Sequence, residues 1–368
     1  MQVDALLTPL IVAEVPDLLR WIHYTPAPFV QRPNGSKNIR WYLSLDGSWD
    51  SWQIHTISKH ARNSNLRDLD IQFLSCNIDP SESVYLRNLP RSASCELEYG
   101  SKSGPNKQFF ESMRLIRESE AQGLSAVQLL ETDAIPIREG WIDLINGSIM
   151  NLPDFWVAGA RYQGKSRISP AIESHFNGNA IYGIGCKGFD SFIQGWNSTL
   201  RRCVKQAHWI AYDICLEWLS NHPKINELTL GEEIRSILNR YKGMCIDISH
   251  IVLNVSGAEE NRNGDMCLDQ ISTDHVIVHS RPLLDNIEWG LAASNIDIVR
   301  LSFQHPLNRR MAVLQTSPFS YFSLADPSSF SERVAKSILE GGEVLEDQIA
   351  VNMYKSCLAT PPSSSKSG

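Results

Sequence analysis

"VQLLETDAIP" (residues 127–136) is the stretch on which the fold turns. An apolar run leads straight into Glu131 and Asp133, and Pro136 then forbids a regular continuation. Together with the preceding residues, "SAVQLL" (125–130) reads as a buried strand, short and apolar and bounded by turn formers. A strand that ends in two acids places ionisable groups at the edge of a core, where something must balance them.

Working outward, the chain alternates strand and helix. "IRWYLSLDG" (39–47) and "DIQFLSC" (70–76) are strand-like, and "SWQIHTISKHA" (51–61) between them reads as a short helix. "NKQFFESMRLIRESEAQG" (106–123) sets Phe109, Phe110, Met113 and Ile116 on one stripe, a helix closed by Gly123. After 125–130 come a helix in "REGWIDLI" (138–145) and a strand in "FWVAGA" (155–160). Strands separated by helices predict an α/β fold with a mostly parallel central sheet and helices on both faces. Farther on, "HFNGNAIYGIG" (175–185) is rich in glycine and asparagine. Helical stretches follow at 188–220 and 231–241, then strands at 244–255 and 275–279. The expected organisation is an N-terminal segment (1–37) packing on or leading into a catalytic domain (38–287). A mixed C-terminal accessory region (288–358), with a helix around 331–356, and a disordered Pro/Ser/Gly tail (359–368) would follow.

The 368 residues suffice for one large domain, and 42% apolar with 20% charged residues is ordinary globular composition. A net charge of −7 argues against nucleic acid as a partner. Eight scattered cysteines without C-x-x-C spacing read as free thiols in a reducing cytoplasm. The N-terminal "MQVDALLTPLIVAEVPDLLRWI" lacks a basic leader and is interrupted by Pro9 and acids, so it is read as neither signal peptide nor membrane span. The expectation is a soluble protein, at most peripheral to a membrane. Sequons at Asn34, Asn146, Asn197 and Asn254 carry no weight without a secretion signal.

Two nucleotide-binding patterns are set aside. "GARYQGKS" (159–166) matches the phosphate-loop spacing, but Pro170 falls inside the helix that should start at the lysine, a cost of ~3 kcal/mol. "GIGCKG" (183–188) matches G-x-G-x-x-G, yet a helix-like stretch follows where a second strand with an acid is needed.

The two acids remain. Ligands of open parallel sheets bind beyond the carboxyl ends of the strands. Residues two apart on a strand project to one side, so Glu131 and Asp133 converge there. Paired carboxylates repel unless a proton or cation lies between them, and oxygen ligands suit Mg²⁺ or Mn²⁺. The alternative is that they cap the following helix.

"QLLETDAIPIREGWIDLI", with "GPNKQFFESM" (104–113) upstream and "HFNGNAIYG" (175–183) downstream, resembles the acidic strand-end (DxD-type) region of GT-A-fold, nucleotide-sugar-dependent glycosyltransferases. The resemblance covers roughly residues 38–282. It implies a Rossmann-like GT-A fold, Mn²⁺ or Mg²⁺ as cofactor, and transfer of a sugar from a nucleotide-sugar donor to a glycan or lipid-linked sugar acceptor. Asp133 matches as the direct metal ligand. Glu131 stands where the commonest form has aspartate, which leaves it to ribose, to metal-bound water or to the metal.

The family's third ligand, often histidine, comes from a late strand end. His279 in "HVIVHSR" (275–281) fits on a strand running parallel to 125–130, with Arg281 nearby for phosphate and His250 as competitor. Inverting members need a carboxylate base, for which Asp213 in "HWIAYDICLEW" and Glu233, beside Glu232 at a helix start, are the candidates. His175, Asn177 and Asn179 would hydrogen-bond sugar hydroxyls, with Gly178 admitting close backbone approach, unless this is a plain turn. The other readings are a sugar-phosphate nucleotidyltransferase, a P-loop enzyme and an inactive glycan-binding domain.

Overall fold

The computed structural model describes residues 1–28, 39–83, 97–119, 123–164, 173–205, 207–220, 232–255, 270–281 and 283. The accessory region at 288–358, the tail at 359–368, and Lys165, Ser166 and Pro170 of the phosphate-loop match lie outside the described residues.

Among the described residues, seven strands form the main sheet: β1 (Val3–Leu10), β2 (Arg40–Leu45), β3 (Asp70–Ser75), β4 (Ala126–Leu129), β6 (Val157–Gly159), β7 (Ile181–Tyr182) and β8 (Cys245–Asp247). Their spatial order is β3-β2-β1-β4-β7-β6-β8. Of these strands β7 runs against its neighbours, and the pairings among the others are parallel. β5 (Ala134–Pro136), β9 (Val252–Asn254) and β10 (Ile277–His279) make a second sheet in the order β5-β10-β9.

Alternation along the strands divides the core into two layers. Leu6 and Leu10 of β1, with Trp41, Leu43 and Leu45 of β2, face helices α1 (Val15–Tyr24), α2 (Ser51–Arg62) and α4 (Trp141–Ile149). Ala5 and Leu7, with Tyr42, Val127 and Leu129, face α3 (Ser103–Ser119), α5 (Phe189–Cys203), α6 (Tyr212–Ser220) and α7 (Glu232–Gly243). Because both faces are covered, β1, β2 and β4 read as apolar runs with no polar face. This is the mixed α/β architecture expected, a mostly parallel sheet between two helical layers.

Val3–Leu10, within the segment expected to pack on or lead into the domain, is a central strand, paired with β2 on one side and β4 on the other. Pro9 is compatible with that place. Leu7 and Pro9 turn their backbone polar groups toward β4, but β4 ends at Leu129 and its last bond runs from Leu130 N–H to Leu7 O. The missing N–H of Pro9 therefore breaks no ladder.

The glycine patterns have packing explanations. A Cβ on Gly159 would lie 2.8 Å from Phe176 Cβ, and Gln163 N–H bonds to Asn254 O at 2.7 Å, so the 159–164 stretch is stitched to β9. In 183–188, a Cβ on Gly183 would meet Phe155 O at 2.1 Å, and Gly188 precedes α5 with φ of 83°.

Candidate metal centre

The acids at 131 and 133 sit where the chain leaves one sheet for the other. β4 ends at Leu129, Glu131–Thr132–Asp133 form a turn closed by Ala134 N–H to Glu131 O at 2.9 Å, and β5 begins at Ala134. The acids are thus on a turn, and alternation along a strand does not explain their convergence. Nor do they cap the next helix, since α4 starts after Gly140 in the left-handed region, with φ of 66°.

What brings His279 to them is the second sheet. β10 does not run parallel to β4 in the main sheet as expected; it pairs antiparallel with β5, His279 opposite Ala134, and Ser280 N–H bonds to Asp133 O at 3.0 Å. The imidazole Nε2 then lies 3.2 Å from Asp133 Oδ1 and 3.5 Å from Glu131 Oε2. One ligand atom from each of Glu131, Asp133 and His279 falls within 4.8 Å of the others. His250, the competing candidate, is exposed on the turn before β9.

The electrostatics follow from two carboxylates sharing one imidazole. Burial pushes Glu131 up, and the charge of Asp133 pushes it further. Burial would also raise Asp133, but the charge and hydrogen bond of His279 outweigh it and hold the group below the usual carboxylate range. Burial would lower His279; Asp133 and then Glu131 overcome that and raise it. The trio attracts positive charge. Two oxygen donors and one nitrogen donor, with the Glu131 side chain 44% exposed on the open side, suit a divalent cation that also binds a ligand.

Asn179, fully buried, holds Glu131. Its Oδ1 accepts from Glu131 N–H at 2.6 Å and its Nδ2 donates to Glu131 Oε2 at 2.9 Å. The same amide nitrogen also donates to Asn177 Oδ1 at 2.9 Å. Both amide hydrogens are therefore used within the protein.

Next to it, Asp213 at the start of α6 accepts from Gly178 N–H at 3.1 Å and lies 3.4 Å from His175 Nε2. Burial would raise Asp213; the hydrogen bond and charge of His175 and the bond from Gly178 hold it below the ordinary range. Gly178 serves a close approach within the protein, because a Cβ there would lie 2.2 Å from the Tyr212 hydroxyl. The Asn177–Gly178–Asn179 loop thus touches both Asp213 and Glu131. Arg281 is ion-paired with Asp17 at 2.8 Å, and its charge also reaches Asp133.

Glu233 is not part of this group. It pairs with Arg202 at 3.3 Å, both side chains more than half exposed, as a charge near a helix start does. Sequence reading also missed Asn254, whose Oδ1 lies 3.1 Å from His279 Nδ1. A lone asparagine inside the apolar "IVLNV" was the available signal, since a buried amide needs a partner. Among the described residues five cysteines are free, and no helix is long and apolar enough to cross a membrane.

No protein-family model matches the sequence, and no curated protein does. Solved structures do match. Several are glycosyltransferases. Mouse xyloside xylosyltransferase 1, in its apo form, is 11% identical over 75% of this chain and 97% of its own, with a TM-score of 0.45. The galactosyltransferase LgtC, in complex with donor and acceptor sugar analogs, is 11% identical over 84% of this chain and 99% of its own, with a TM-score of 0.39. Residues 1–349 of S. aureus TarS, in complex with UDP, are 11% identical over 97% of this chain and 81% of that one, with a TM-score of 0.31. At these identities and TM-scores the likeness carries no functional weight; the side chains must.

Proposed function

We propose that this chain is a metal-dependent glycosyltransferase that moves a sugar from a nucleotide-sugar donor to a hydroxyl of a glycan or lipid-linked sugar. The observation that carries this reading is the convergence of Glu131, Asp133 and His279 beyond the carboxyl end of β4, one loop away from the Asp213–His175 pair. The strand-end acids also carry the family resemblance of the sequence.

In this reading Asp133, Glu131 and His279 hold Mn²⁺ or Mg²⁺. The cation would neutralise the charge that develops on a diphosphate leaving group. Arg281, steadied by Asp17, adds a fixed positive charge on the same side. Asn177, the partly exposed first residue of this loop, is the residue proposed to bind a donor-sugar hydroxyl. Asp213, kept ionised at neutral pH by His175 and Gly178 N–H, is the proposed base for the acceptor hydroxyl. The geometry favours it over Glu233, which pairs with Arg202 on the surface.

The test is release of nucleoside diphosphate from a panel of nucleotide sugars with Mn²⁺ and a mixture of sugar acceptors. Turnover of at least one donor, abolished by Asp213→Asn, is expected. No release from any donor would overturn the reading.

A further inference from the structure

The Asn254–His279 contact has a geometry beyond that of ordinary strand packing. β9 and β10 run parallel with Asn254 and His279 in direct register, and both residues are buried. Asn254 Oδ1 lies 3.1 Å from His279 Nδ1, while the other ring nitrogen, Nε2, faces Asp133 and Glu131. We propose that Asn254 is a positioning residue that keeps the His279 ring proton on Nδ1, so that Nε2 is the nitrogen offered to the cation. This rests on the cation-binding reading above and adds to it the device that orients the ligand.

The chemistry is that of a neutral imidazole. A ring that gives a lone pair from Nε2 carries its one proton on Nδ1, and a buried N–H needs an acceptor. The Asn254 side-chain oxygen is that acceptor. With the proton on Nε2 instead, two hydrogen-bond acceptors, Nδ1 and Asn254 Oδ1, would face each other across the 3.1 Å contact with no proton between them, and an N–H would occupy the ligand position. The Asn254 backbone is fixed as well: its carbonyl accepts from Gln163 N–H at 2.7 Å and its N–H donates to Gln163 Oε1 at 3.3 Å. The acceptor is therefore set in place before any cation arrives. Outer partners of this kind commonly contribute 10–100-fold to metal affinity.

The test is Mn²⁺ titration of the full chain by calorimetry, for the wild type, Asn254→Leu and Asn254→Asp. Leucine removes the acceptor at similar volume; aspartate keeps one. Asn254→Leu should bind Mn²⁺ about 10–100-fold more weakly, and Asn254→Asp should stay close to wild type. A second measurement needs no variant. With Zn²⁺ as a diamagnetic probe, nitrogen-15 NMR of the wild-type imidazole should place the single ring proton of His279 on Nδ1. A proton on Nε2, unchanged Mn²⁺ affinity in Asn254→Leu, or equal losses in the leucine and aspartate variants would each overturn the assignment. Failure of the wild type to bind Mn²⁺ at all would instead overturn the cation reading on which it rests.

Discussion

Asn179 grips Glu131 from two directions, accepting from its backbone N–H at 2.6 Å and donating to its carboxylate at 2.9 Å. The pair fixes both the turn and the rotamer of the acid, so the free carboxylate does not have to be ordered when a cation binds. Asn179→Ala is expected to weaken Mn²⁺ binding by about tenfold or more and to destabilise the fold by about 1–3 kcal/mol. Calorimetric titration with thermal unfolding measures both. Wild-type Mn²⁺ affinity in Asn179→Ala would remove Glu131 from the ligand set.

His279 supplies the one nitrogen of the trio. Mn²⁺ accepts mixed nitrogen and oxygen ligands more readily than Mg²⁺. His279→Ala should therefore raise the half-saturating concentration of Mn²⁺ more than that of Mg²⁺, read from donor turnover against concentration of each ion. Equal changes, or none, would make His279 a packing residue.

Gly178 has no room for a methyl group. A Cβ would sit 2.2 Å from the Tyr212 hydroxyl, and the Tyr212 ring cannot swing away freely because it stacks on Phe109 at 3.9 Å between centroids. Gly178→Ala should cost about 1–3 kcal/mol of stability and displace Asp213. Adding Tyr212→Phe should restore much of the stability in chemical denaturation. Full stability of Gly178→Ala alone would contradict the packing argument.

Glu14 follows β1 and accepts from Ile11 N–H at 3.0 Å. Burial pushes its carboxyl up to about 7; the bond from Ile11 opposes this, and the charges of Glu131, Asp133 and Asp17 add to the rise. A raised carboxyl favours folding only while protonated. Its contribution is fully present below the unfolded value near 4.5 and is lost as pH rises through about 7. Glu14→Gln should thus match the wild type at pH 4 and exceed it by about 2–3 kcal/mol at pH 8 in metal-free buffer. Unfolding curves at the two pH values decide it, and an equal difference at both would remove the titration of Glu14 as the cause.

The sheet was legible where strands were long and flanked by amphipathic helices, as with Arg40–Leu45, Asp70–Ser75 and Ser103–Ser119. It was illegible at Val3–Leu10, because a proline near the end of an apolar run argues against a central strand until one sees that β4 stops short of it. The acids were legible as an interruption of a buried run, and His279 as a polar residue at a strand end. Their meeting was not, since it depends on an antiparallel pairing between β5 and β10, more than a hundred residues apart in sequence. The contacts of Asn179 with Glu131 and of Asn254 with His279 were not legible for the same reason: the partner of a buried amide is set by what lies across from it.

The most direct test of a cation shared between this protein and a diphosphate is nucleotide binding itself. Thermal unfolding would be followed with a panel of nucleoside diphosphates and nucleotide sugars, with and without Mn²⁺, for the wild type and Asp133→Asn. At a hundredfold excess over Kd, a bound nucleotide should stabilise the wild type by about 2.7 kcal/mol, only when Mn²⁺ is present, and should not stabilise Asp133→Asn. No shift with any nucleotide, or an equal shift without Mn²⁺ or in Asp133→Asn, would contradict it.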